Sequence, residues 1–269
     1  MYPKKYLTYF RMRFIGGLQY RAAALAGIST QFAWGFLNIL LFRALQSANP
    51  AAFPMEFSQL SAYIWLRQAF LSMMNSWTYD SDLLDMISGG NIAYELARPV
   101  DLYWLWMART LSTRFSRAVL RCMPILIVAA FLPAPYGLTL PPNFTQGLFF
   151  VITLLLATFC VNTFTMLVYI SCFYTVNSQG IRLAATTIAD FLSGGYLPLL
   201  FMPAALRTVI EHSPFGAMEN LPFRIYSGNI MGAEMVKFVL LQIFWCAVLF
   251  ILGKLWLKKA LRRVVVQGG

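Results

Sequence analysis

Sixty consecutive residues, Cys122 to Ile181, contain no Asp, Glu, Lys or Arg. A soluble domain of 269 residues cannot enclose an uncharged stretch of that length, but two bilayer crossings and a turn can. The proline-rich PAPYGLTLPPN at 133–143 divides it into the end of one crossing, an external loop and a complete crossing from Gly147 to Ile170. Composition extends this to the whole chain: 59% of residues are hydrophobic, 12% are charged and the mean hydropathy is +0.64. That profile predicts an all-α, polytopic membrane protein forming a single transmembrane domain over 1–269.

The remaining crossings follow from apolar runs of about 20 residues, the length needed to traverse about 30 Å of hydrocarbon at about 1.5 Å per residue. Ala22–Phe42, Phe57–Trp77, an Arg-bearing helix from Leu102 to Leu132, Leu183–Met202 and Met235–Leu257 join Gly147–Ile170 to make six spans. The third is longer than a bilayer requires, so its first turns are expected in the cytosol or headgroup layer. Arg114, Arg117 and Arg121 form one stripe along it.

A formal charge of +11 raises the question of nucleic acid. The basic residues sit at the ends of apolar runs, however, which is how topology is encoded, and nucleic-acid binding is excluded on that ground. Of the 21 Lys and Arg, 16 fall on inner segments if both termini are cytoplasmic: five before the first span, five from Arg98 to Arg121, Arg182, and five at the C-terminal end. No removable signal peptide is expected, because the first apolar run is long enough to span.

Two amphipathic stretches stand outside the spans. In residues 1–17, Tyr6, Phe10 and Phe14 recur four apart, predicting a helix lying in the headgroup layer. Residues 79–101, YDSDLLDMISGGNIAYELARPVD, hold five of the ten carboxylates of the chain. Leu83, Leu84 and Ile87 recur among Asp80, Asp82 and Asp85 at helical spacing, Gly89-Gly90 breaks the helix, Asn91 is placed to cap a second turn carrying Ile92 and Leu96, and Arg98-Pro99 ends it. This reads as a cytoplasmic docking surface made of two short helices. By composition a solvated loop with incidental helicity fits as well.

The outer end of the fifth span is broken by Ser193-Gly194-Gly195 and Pro198, and residues 203–234 read as short external helices dipping back into the membrane edge. His212, the single histidine, has no carboxylate or cysteine neighbour in sequence and reads as structural. Cys122, Cys160, Cys172 and Cys246 lack metal or disulfide spacing and read as small core residues. Asn143-Phe144-Thr145 matches a glycosylation acceptor and is discounted. There is no phosphate-binding GxxxxGK[ST], HExxH or GxSxG, so no catalytic, cofactor-binding or metal-binding residues are assigned and the chain is expected not to be an enzyme or an ATPase by itself.

Three charges lie at membrane depth: Arg67 in the second span, Arg121 in the third and Asp190 in the fifth. Each costs at least about 2.5 kcal/mol there unless paired or wetted. One reading pairs Arg67 with Asp190 and lets Arg121 snorkel inward. The other places them on the wall of a path that recognises a polar substrate group.

The segment ISGGNIAYELARPVDLYW (87–104), the early amphipathic helix, the six-span layout, and the late LSGGYLPLLFMPAAL followed by SPFGAMENLPFRIYSG together resemble the permease subunits of the second class of ABC exporters (the ABC-2 type). The resemblance covers essentially the whole chain. It implies a cytoplasmic coupling helix between spans two and three, with Asp82, Leu83, Asp85, Ile87, Gly90, Leu96, Arg98 and Pro99 as ATPase-coupling residues. It further implies two copies of a separate ATP-binding subunit that binds ATP and Mg, a second permease that is the same or related, contact with membrane lipid, and residence in a bacterial inner membrane. The substrate class, whether drug, peptide, lipid or polysaccharide, stays open. On this reading Leu83→Asp is expected to uncouple transport without disturbing insertion. An ion-coupled secondary transporter is the competing reading, for which the spans offer Asp190 as an interior acid.

Overall fold

The computed structural model describes residues 3–175 and 178–263. Among these the protein is built from helices, with no strand: α1 (Pro3–Gly17), α2 (Arg21–Ala48), α3 (Phe57–Met74), α4 (Ser81–Ser88), α5 (Ala93–Leu96), α6 (Leu102–Phe131), α7 (Phe144–Ser171), α8 (Ser178–Ser193), α9 (Ala204–Glu211), α10 (Asn220–Tyr226) and α11 (Ala233–Leu261). Asn177, the first residue of the predicted inner turn, lies outside the described residues.

Among the described residues three helices are long and apolar enough to cross a membrane: α2, α7 with its 3-10 continuation to Tyr174, and α11. The other predicted spans differ for physical reasons. In α3 the buried residues run all round the helix and include Ser61, Gln68 and Ser72 as well as Leu60, Trp65 and Leu66. A helix enclosed by protein needs no apolar face for lipid and can carry polar side chains. By contrast α2 buries one stripe, Ala24, Ile28, Gln31, Gly35, Ile39 and Phe42, and leaves Trp34, Leu37, Leu41 and Leu45 exposed. Helix α11 likewise exposes Leu240, Phe244, Ile251 and Leu255. Apolar surface of this extent is stable only against lipid or another apolar surface.

Helix α3 is packed against α2, α6, α7 and α10. Gly35 lets α2 approach it, since a Cβ there would lie 2.7 Å from the Trp65 ring. The C-terminal carbonyls of α3 are satisfied from another helix: fully buried Arg114 of α6 donates to the carbonyls of Met73 (3.2 Å) and Asn75 (2.8 Å) and to Thr165 Oγ1 (3.0 Å). Orphan carbonyls at a helix end need such donors. Asn143, discounted as a glycosylation acceptor, caps α7 by accepting the Gln146 N–H at 2.9 Å.

The predicted fifth span, Leu183–Met202, is not one helix. Helix α8 ends at Ser193, Gly194 takes a φ of +89°, and the chain continues non-helically to a 3-10 turn at Leu199–Phe201. Only residues with little steric penalty adopt that φ, so the glycine is what permits the break. After α9 the chain turns deep among the long helices. Gln242, nine residues or about 14 Å into α11, donates to the Ala217 carbonyl at 2.8 Å. Trp245 Nε1 donates to the His212 carbonyl at 2.9 Å, and His212 Nδ1 lies 2.8 Å from the Thr208 carbonyl, a structural arrangement. Helix α10 then packs against α7 and α3. Cys160, Cys172 and Cys246 are buried, Cys122 is partly so, and all four are unpaired.

The aromatic stripe of α1 turns inward onto α6. Phe10 stacks with Phe14 and meets the Phe115 edge at 6.2 Å, while Leu7 and Met12 are exposed on the other side.

Candidate coupling surface and polar cavity

Asp80 and Asp101 bracket the short helices α4 and α5, and each caps the helix that follows it. Asp80 accepts the Leu83 N–H at 3.1 Å and Asp101 the Trp104 N–H at 3.2 Å. A carboxylate at this position satisfies an orphan donor and complements the helix dipole. The Asn91 side chain does not cap α5; Ile92 occupies that position and supplies no side-chain bond.

One residue ties the segment to the long helices. Arg109 of α6, 3% exposed, donates to both Asp80 oxygens at 2.6 Å and to Asp82 at 3.2 Å, and lies 3.9 Å from Glu95. Buried Glu95 also accepts the Trp106 indole N–H at 2.6 Å. Tyr6 accepts the Asp101 N–H at 2.8 Å, and Lys254 of α11 pairs with Asp101 at 3.2 Å. These contacts link α1, α4, α5, α6 and α11 around the segment. Next to it the Tyr79 hydroxyl lies 3.2 Å from Thr186 Oγ1, and burial raises its pKa above the usual phenol value.

This geometry corrects the docking face expected from sequence. Leu83 and Ile87 are not offered to a partner: they are buried with Leu84 against Trp106, Tyr169 and Leu257. The apolar face of an amphipathic helix is taken by the core of its own chain first. What faces outward is Asp82, Asp85, Leu96, Arg98 and Pro99, together with Tyr94, which is 75% exposed; Gly90, at φ +72°, is half-buried at the turn. The sequence reading missed Arg109, which lies on a different face of α6 from the Arg114, Arg117, Arg121 stripe, so helical periodicity does not group it with them. Its signal was a lone charge in LYWLWMARTL, just after a carboxylate-rich loop.

The membrane-depth charges also rearrange. Arg67 does not pair with Asp190. It pairs with Glu219 at 2.6 Å and donates to the Gly195 carbonyl, while Asp190 accepts the Ser76 hydroxyl. Glu219 was assigned to an external segment, and only the inward turn between α9 and α10 carries it to the middle of α3. Arg67, Arg121 and Asp190 nonetheless border one cavity of about 480 Å³ between α2, α3, α6 and the end of α8. Gln31 and Gln68, both nearly fully buried, line it too; neither Gln31 amide atom nor the Gln68 carbonyl has a partner among the described residues.

Long helices with outward apolar faces, a central helix enclosed by protein, a helix break after α8 and a half-open, largely apolar cavity bordered by Arg67, Arg121 and Asp190 define a polytopic membrane protein. Residues 55–268 match the family described as ABC-2 family transporter protein, and the chain belongs to that family. No curated protein matches the chain.

Proposed function

We propose that this chain is the membrane permease of an ATP-driven exporter, with six crossings and both termini cytoplasmic, in a bacterial inner membrane. The observation that carries the reading is the Arg109 clamp. It joins α4 and α5 to α6, so a push on the outward rim of Asp82, Asp85, Tyr94, Leu96 and Arg98 moves the long helices bordering the cavity. A coupling element needs an exposed face for its motor and a rigid link to what it moves.

On this reading α2, α3, α6, α7, α8 and α11 are the crossings. The charge bias fits: basic residues crowd the end carrying α1, α4 and the C-terminal turn of α11. Segment 194–226 is re-entrant, its irregular backbone covered by α3, α7 and α11 as a lipid environment demands. The chain holds no nucleotide site of its own in this account. ATP and Mg bind two copies of a separate subunit, and a second permease, identical or related, covers the apolar face that α2 leaves open.

Copurification of the full chain with an ATP-binding subunit encoded beside it, followed by ATP hydrolysis and vesicle transport, tests this. The expected result is a complex whose hydrolysis rises when the permease is present and falls in Asp82→Lys/Asp85→Lys. Transport driven by a proton gradient with no ATPase bound would overturn the reading in favour of an ion-coupled carrier.

A further inference from the structure

Two hollows meet at Arg121. The first, about 620 Å³, lies between the α1–α2 elbow and α6; Arg13, Tyr20, Arg117 and Arg121 line it, and no carboxylate does. The second is the 480 Å³ cavity above it, and Arg121 lines both. Its Nε has no hydrogen-bond partner, and no carboxylate among the described residues pairs with it. Gly27 makes room for this guanidinium: a Cβ there would lie 2.5 Å from its central carbon. A partly buried arginine with free N–H groups and no counter-charge is unfavourable at membrane depth unless an anion or water reaches it. A guanidinium offers parallel N–H donors that suit phosphate or carboxylate oxygens.

The upper cavity differs in character. Leu71, Trp34 and Trp77 give it apolar wall, and Gln31 and Gln68 line it as nearly fully buried side chains whose Gln31 amide atoms and Gln68 carbonyl have no partner among the described residues. Asp190 on the far wall opposes an anion; it accepts the Ser76 hydroxyl and lies beside the Arg67–Glu219 pair, whose charges act on it in opposite senses. Positive charge therefore concentrates at the lower hollow and at Arg121, with the mixed apolar and amide surface beyond.

We propose that the ligand is an amphiphile with one anionic headgroup, a phosphate or carboxylate. It enters from the leaflet beside α1, with its headgroup on Arg117 and Arg121 and its chain directed into the upper cavity. The inference rests on the permease reading for the direction of movement, but binding itself needs no motor.

Native mass spectrometry of the full-length chain in uncharged detergent tests it with three probes: dodecyl phosphate, dodecyltrimethylammonium and inorganic phosphate. The expected result is one saturable adduct with dodecyl phosphate, not competed by the other two. Arg117→Gln/Arg121→Gln should weaken it at least tenfold. Should that variant fail to fold, Ala23→Trp fills the lower hollow from an exposed position and should abolish the adduct with every arginine in place. Equal binding of dodecyltrimethylammonium would overturn the proposal, as would unchanged affinity in a folded variant of either kind. Displacement by inorganic phosphate would show a site for a soluble anion and also refute it. A dodecyl phosphate adduct in a chain that recruits no ATPase would leave this inference standing and remove the exporter reading; an ATPase complex without the adduct would do the reverse.

Discussion

Arg109→Gln should detach the short helices from α6. The arginine is 3% exposed and gives two 2.6 Å charge-assisted bonds to Asp80, whose side chain is 19% exposed, plus a weaker contact to buried Glu95. Charge-assisted bonds contribute roughly 1.5–3 kcal/mol each. Removing one partner of a buried pair strands the other charge, for a total loss of about 3–5 kcal/mol. Asp82 adds little, because its side chain is 76% exposed and such pairs contribute about 0–1 kcal/mol. Asp80→Asn keeps the α4 cap, since asparagine caps as well as aspartate, and removes only the charge. The double variant should therefore lose less than the two single variants added together, by about 1–3 kcal/mol. Hydrogen exchange over 80–98 in the detergent-purified chain, with thermal unfolding of the four proteins, measures both. Exchange in Arg109→Gln equal to wild type, or strictly additive losses, would refute the clamp.

Two further outcomes follow from the contacts. Leu83→Asp places a carboxylate where the side chain is fully buried and should abolish folded protein, whereas Asp82→Lys should fold normally and lower ATPase stimulation; comparing gel-filtration recovery with hydrolysis rates separates the two. Glu219→Gln should destabilise by about 3 kcal/mol or more by stranding Arg67, and Arg67→Glu/Glu219→Arg should recover part of the loss, while Arg67→Asp/Asp190→Arg should recover none; thermal unfolding reads each, and rescue by the Asp190 exchange alone would sink the assignment.

Much of this molecule was legible in sequence because lipid imposes local rules. Each crossing must satisfy its own backbone and present apolar side chains for about 20 residues, so α2, α7 and α11 appear as runs that any window detects. The breakers Gly89-Gly90 and Gly194-Gly195 likewise act locally, through the positive φ of Gly90 and Gly194, and both pairs stand where the helices end. The carboxylate capping at Asp80 and Asp101 is a contact three residues long and equally local, but the sequence reading placed a cap at Asn91 and missed both.

Pairings between distant segments were not legible. Nothing in 203–234 says that its turn descends far enough to bring Glu219 to Arg67, 152 positions away, because that depth is set by how α10 packs on α3 and α7. Nor does an amphipathic helix reveal whether its apolar face meets a partner or its own core; α4 turned Leu83 and Ile87 inward because α6, α7 and α11 supply the facing surface. The sequence by itself determined most of the helical stretches and the apolar runs of α2, α7 and α11, since these depend on neighbours within a few residues, but not that α3 is enclosed by protein or that the chain leaves the helix after Ser193. Only the tertiary structure decided which charge meets which, because at low dielectric a buried ion takes whatever counter-charge the packing delivers, however far away it lies in the chain.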